Sequence, residues 1–130
     1  MRLTKLRNKM EELKVDATLV LDELNQHYLS EFAFTDGFLF VTNAKAYLVT
    51  DFRYYEMALN KANKSFEIVM PENRKEFLSK VISDLNIKTI GFEGGSVSYE
   101  TYRRYCNAFP YCEFINIGDM MRPQWGFRWR

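Results

Sequence analysis

The sequence predicts an α/β fold: one domain built on a mixed β-sheet flanked by helices. Short apolar runs rich in β-branched and aromatic residues alternate with stretches whose apolar residues recur every three or four positions. One pair of such runs, 38–42 and 46–49, is separated only by Asn43-Ala44-Lys45, which has the length and chemistry of a hairpin loop. One strand must therefore run against its neighbours, and the sheet is mixed rather than purely parallel. At 130 residues the chain is long enough to bury about two thirds of its unfolded surface in a single core.

Leu3, Leu6, Met10 and Leu13, with Lys5, Arg7, Lys9 and Glu12 around them, predict an amphipathic first helix. Residues 15–21, Val-Asp-Ala-Thr-Leu-Val-Leu, read as a buried strand, and a short helix is expected over about 25–30. The following loop, Glu-Phe-Ala-Phe-Thr-Asp-Gly over 31–37, is too apolar for a plain connector. Phe32 and Phe34 either close one edge of the core or carry the loop tip towards a neighbouring subunit. After the hairpin, a helix capped by Asp51 is predicted to run to about Ala62, where Asn63-Lys64-Ser65 stops it. Residues 66–70 form the next expected strand, which Pro71 ends. Phe77, Leu78, Val81, Ile82 and Leu85 mark an amphipathic helix beginning near Arg74, followed by a strand over 89–92. Ser98 can cap a last helix with Tyr99, Tyr102, Cys106 and Phe109 on one face; Pro110 ends it, and 113–117 supply the final strand.

Composition narrows the function. The formal charge is +1 with both signs interspersed, without the concentrated basic patch that nucleic-acid binding exploits. Arg103-Arg104, between Tyr102 and Tyr105, reads as the solvated face of a helix. Aromatic residues make up 16% of the chain, a load heavy enough that some are expected to face a partner. No apolar run reaches membrane-span length and the N-terminus is amphipathic, so a cytoplasmic protein with no membrane partner is expected. Cys106 and Cys112 lack a Cys-x-x-Cys spacing and are expected as free thiols. Gly94-Gly95 lacks the third glycine of a dinucleotide-binding loop and predicts a turn. The single histidine, His27, is expected to be partly buried and structural. One imidazole cannot serve a paired-metal site, a Ser/His/Asp triad or a Cys/His pair. No catalytic residue and no metal ligand is therefore expected in this chain.

The chain turns on the junction Tyr47-Leu48-Val49-Thr50-Asp51-Phe52-Arg53-Tyr54-Tyr55-Glu56: a strand end, a polar break and an aromatic first helical turn. Asp51 is placed to accept hydrogen bonds from free N–H groups, and Arg53 can hold Asp51 or Glu56 through its planar guanidinium. Arg53 then either ties the strand end to the helix start or reaches a substrate. Thr50-Asp51-Phe52-Arg53-Tyr54, preceded by Asn25-Gln-His-Tyr-Leu-Ser-Glu-Phe32 and the Asp36-Gly37 turn, resembles the N-terminal domain of the creatinase/prolidase family. It is similar in particular to the bacterial Xaa-Pro aminopeptidase and Xaa-Pro dipeptidase branch. Ile90-Gly91-Phe92-Glu93, followed by Ser98 and Tyr102, extends the resemblance over residues 1–119.

The resemblance implies a mixed sheet in a ribonuclease H-like arrangement and a non-catalytic role. The family's peptidase chemistry resides in a C-terminal domain holding two divalent metal ions (Mn, Co or Zn). That domain lies outside this sequence, so no cofactor is expected in the chain itself. The implied partners are a second copy in a homodimer, the catalytic domain and, through it, proline-containing peptides. The loop after the second helix is the part expected to approach the partner's cleft. Phe34, Thr35 and Asp36 are thus its substrate-access residues, with Asp51, Arg53 and Tyr54 as the strand-helix junction behind them. Within residues 120–130, the stretch from Pro123 to Arg130 departs from the family. Pro123, Trp125, Phe127 and Trp129 stand where a linker helix would begin, so this segment is expected to start a linker or form an atypical tail. Two alternatives remain open: a free-standing α/β binding or regulatory module, and a plain dimerisation domain.

Overall fold

The computed structural model describes residues 2–118. In chain order it contains α1 (Arg2–Leu13), β1 (Ala17–Val20), α2 (Glu23–Ser30), β2 (Phe38–Thr42), β3 (Ala46–Val49) and α3 (Tyr55–Lys61). There follow β4 (Glu67–Val69), α4 (Arg74–Asp84), β5 (Thr89–Phe92), α5 (Tyr99–Ala108) and β6 (Glu113–Asn116). The tail expectation for 120–130, with Pro123 and Trp125, lies outside the described residues, as does the domain boundary at 119.

Six strands form one sheet in the order β4-β3-β2-β1-β5-β6. The hairpin reverses β2 against both β1 and β3, and all other pairings are parallel. Consequently β1, β3 and β5 end at the same edge of the sheet, where β2 begins. Side-chain alternation along the strands sorts the core into two layers. Val20, Leu39, Val41 and Leu48 pack on one face with Leu3, Leu6 and Met10 of α1, Leu29 of α2 and Ala58 of α3. Ala17, Leu19, Phe38, Phe40 and Val49 pack on the other with Leu78, Val81 and Ile82 of α4 and with Phe109, just past α5. Both faces of the central strands are covered, which is why β1 and β2 read as unbroken apolar runs.

Two local expectations are corrected. Asp51 does not cap α3, which starts four residues later at Tyr55, with Tyr54 at its N-cap and no side-chain cap. Its carboxylate instead accepts from the Arg53 backbone N–H at 3.0 Å, so it nucleates a turn ahead of the helix. The aromatic face of α5 is also rotated. Tyr99 is 73% exposed, whereas Tyr105, Ala108 and Phe109 pack on the core. Ser98 does cap α5, accepting from Thr101 N–H.

Candidate functional site

The carboxyl edge of the sheet gathers two polar junctions, the position at which α/β sheets commonly present ligand-contacting groups. The first is a clasp over the loop 31–37. Phe32 and Phe34 stack at 6.0 Å between centroids, and each meets the Tyr54 ring edge-on at 6.4 Å. The Tyr54 hydroxyl lies 3.0 Å from Thr35 Oγ1. Arg53 Nη2 donates to Asp36 Oδ2 at 2.9 Å and to Asp51 Oδ2 at 2.7 Å, while Arg53 Nε donates to Asp51 Oδ2 at 3.0 Å. The guanidinium also lies over the Tyr54 ring. These bonds hold the Asp51 carboxyl below its ordinary value and push the Arg53 guanidinium up. Two carboxylates share one cation, which leaves the clasp with one net negative charge.

The structure separates the loop residues. Phe34 is only 4% exposed and belongs to the core, so its ring closes the sheet edge rather than projecting from a loop tip. Thr35 is half-buried, and Asp36 carries the exposed charge. Arg53 takes Asp51 and Asp36 as partners rather than Glu56. Asp36 adopts a left-handed backbone, φ 58°, which Asp tolerates better than most residues. Gly37 follows because the chain runs too close for a side chain. An added Cβ would strike the Val49 carbonyl oxygen and come within 2.7 Å of Phe34 Cε2. Gly37→Ala is expected to lower stability by about 2 kcal/mol in a urea melt, since the obstacle is backbone and cannot swing aside.

The second junction, which the sequence reading missed as a site, is a buried carboxylate. Glu93, just after β5, is 1% exposed. Its Oε1 accepts from the backbone N–H groups of Leu21 and Asp22 at 2.8 and 3.4 Å, and its Oε2 accepts from Asn25 Nδ2 at 2.5 Å. Beside it, Gln26 Nε2 donates to the carbonyls of Val20 and Gly37 at 3.0 and 3.1 Å. Glu93 and Gln26 thus weld β5, β1, α2 and the loop into one frame. The available signal was Asn25-Gln26 beside Leu29 and Ser30: all four are buried on α2, a polar pair on the inward face of a helix. His27, by contrast, is exposed on α2, not partly buried as expected.

Among the described residues no group of three His, Cys, Asp or Glu side chains could hold a metal ion, and no helix is long and apolar enough to cross a membrane. Cys106 and Cys112 are free thiols. Fold and site together define a mixed-sheet α/β domain whose polar groups brace a loop at the carboxyl edge of the sheet. The Creatinase/Prolidase N-terminal domain family matches residues 2–124, and the chain belongs to that family. It is 31% identical over 120 residues to the uncharacterized peptidase YqhT of Bacillus subtilis, covering 92% of this chain and 34% of that protein. The fold is similar to that of an Xaa-Pro dipeptidase from Bacillus anthracis, with TM-score 0.85, 27% identity, and coverage of 95% of this chain and 34% of the other. It is equally similar to an X-Pro aminopeptidase from Thermotoga maritima, with TM-score 0.84, 28% identity, and coverage of 94% and 35%. The chain therefore spans about a third of the length of these peptidases.

Proposed function

We propose that this domain works in the cytoplasm beside a metal-dependent Xaa-Pro peptidase domain, supporting homodimerisation and setting substrate access to the partner's active site. In that reading the two divalent ions (Mn, Co or Zn) belong to the catalytic domain, and this chain supplies no catalytic residue. The supporting observation is the clasp. Arg53 pins Asp36 at the carboxyl edge of the sheet, and the surplus negative charge of Asp36, Asp51 and Arg53 suits the free amine of an incoming peptide. Thr35 and Asp36 are the contact residues in this proposal. Phe34 supports them from beneath, and Asp51, Arg53 and Tyr54 hold them in register.

The test is Asp36→Asn in the complete peptidase. Asn keeps the left-handed backbone and removes only the charge. KM for substrates with a free N-terminal amine is expected to rise about three- to tenfold, the loss of one partly solvated charge contact. N-acetylated substrates should be unaffected. Asp36→Ala should show the same selectivity shift with some added loss of stability. Equal kinetics in both variants on both substrate types would remove the loop from the mechanism.

A further inference from the structure

The face of the sheet covered by α4 and α5 carries a groove of about 340 Å³ that meets the clasped loop only at Gly37. Its floor is apolar, built by Leu21 and Phe38 at the strand ends, Leu78 of α4, and Ala108 and Phe109 at the end of α5. Its rim holds Arg74 and Lys75 from the first turn of α4 and Arg104 from α5. No hydrogen bond or ion pair among the described residues engages the side chains of these three cations, although the charge of Arg74 also reaches Asp51, whereas Lys9, Arg53 and Lys80 each hold a carboxylate. The Tyr105 phenol also lines the groove, and the charges of Arg104 and Arg74 both reach it. Burial nonetheless raises its pKa, so at neutral pH the hydroxyl keeps its proton and can donate.

We propose that this groove binds a small organic monocarboxylate with an apolar body of about one ring. An apolar cavity of roughly half this size holds a benzene ring, which leaves room for the carboxylate at the rim. A guanidinium pairs a carboxylate through two parallel N–H bonds, and the Tyr105 hydroxyl adds a third donor. The apolar floor disfavours a phosphate or sulfate, which would leave that surface empty. The rim disfavours an amine or a zwitterion, whose ammonium group would meet like charges.

The experiment titrates phenylacetate into the ¹⁵N-labelled 130-residue chain, with phenylacetamide and phenethylamine as neutral and cationic isosteres. Saturable shifts confined to α4, α5 and the strand ends at Leu21 and Phe38 are expected, with phenylacetamide at least about tenfold weaker and phenethylamine silent. Arg104→Gln and Arg74→Gln should each weaken phenylacetate about three- to tenfold without changing the amide shifts elsewhere. Arg104 is exposed and Arg74 half-buried, and neither belongs to the core, so with unchanged amide shifts elsewhere lost binding cannot be ascribed to unfolding. Equal binding of acid and amide, or no saturation by about 10 mM acid, would overturn the proposal. Binding by N-acetylphenylalanine but not phenylacetate would also overturn it, pointing to the carboxyl terminus of a peptide.

Discussion

Replacing Glu93 by Ala is expected to lower stability by about 3 kcal/mol, read as a fall in Tm on the order of 10 °C. The carboxylate is the acceptor for the N–H groups of Leu21 and Asp22 and for Asn25 Nδ2. Truncation strands buried donors that water cannot easily reach, each costing about 1–3 kcal/mol, and the gain from removing a desolvated charge offsets only part of that. Glu93→Gln should be much milder. Asn25 Oδ1 has no hydrogen-bond partner among the described residues, so the Asn25 amide can turn over and accept from the introduced amide N–H.

The same pair of proteins gives a pH signature of definite sign. Burial pushes the Glu93 carboxyl above its ordinary 4.5, outweighing the hydrogen bonds that pull it down. The folded chain therefore keeps this proton to higher pH than the unfolded chain does. The resulting stability is fully present below about 4.5 and is lost as pH rises through the folded value. Asp51 acts in the opposite direction and in another window. Held below 3.8 by the Arg53 hydrogen bond, it stabilises above that pH and loses its contribution only in stronger acid. Urea melts from pH 4.5 to 7 should therefore show the parent chain declining relative to Glu93→Gln. A constant difference across that range, or a Glu93→Ala chain within about 1 kcal/mol of the parent, would contradict the buried-carboxylate account.

Why this carboxylate escaped the sequence reading is instructive. Periodicity locates an element and its apolar side; it is silent when a polar residue turns inward. The hairpin at 38–49 and the amphipathic α4 were legible because their buried positions, Thr42 apart, are apolar. Asn25, Gln26 and Glu93 carry the residue types of a solvated surface, and only the approach of β5 to the start of α2 makes them interior. Asp51 shows the complementary failure. Its residue type predicts a cap, but Arg53 competes for the same carboxylate, and the turn it stabilises delays the helix to Tyr55. On α5, both Tyr99 and Tyr105 have aromatic character suited to burial. The direction from which the sheet arrives, which no local pattern encodes, leaves Tyr99 in water.

Phe34→Ala is expected to cost about 3–4 kcal/mol, because the ring is buried and its removal leaves a cavity between Phe32, Tyr54 and Gly37 that the backbone cannot close. Phe34→Leu keeps most of the volume and should cost about 1–2 kcal/mol. The two variants separate the roles the loop could play. If the ring itself met a substrate, Phe34→Leu in the complete peptidase would change selectivity while leaving a nearly normal melt. If the ring acts as the floor under Thr35 and Asp36, the stability loss should scale with the cavity, and kinetic change should follow the displacement of Asp36. The Asp36→Asn and Phe34→Ala effects on KM would then be less than additive, since both act through one carboxylate. The burial of Phe34 at 4% exposure favours the second outcome. A Phe34→Ala chain that melts within about 1 kcal/mol of the parent would show that the ring does not support the loop.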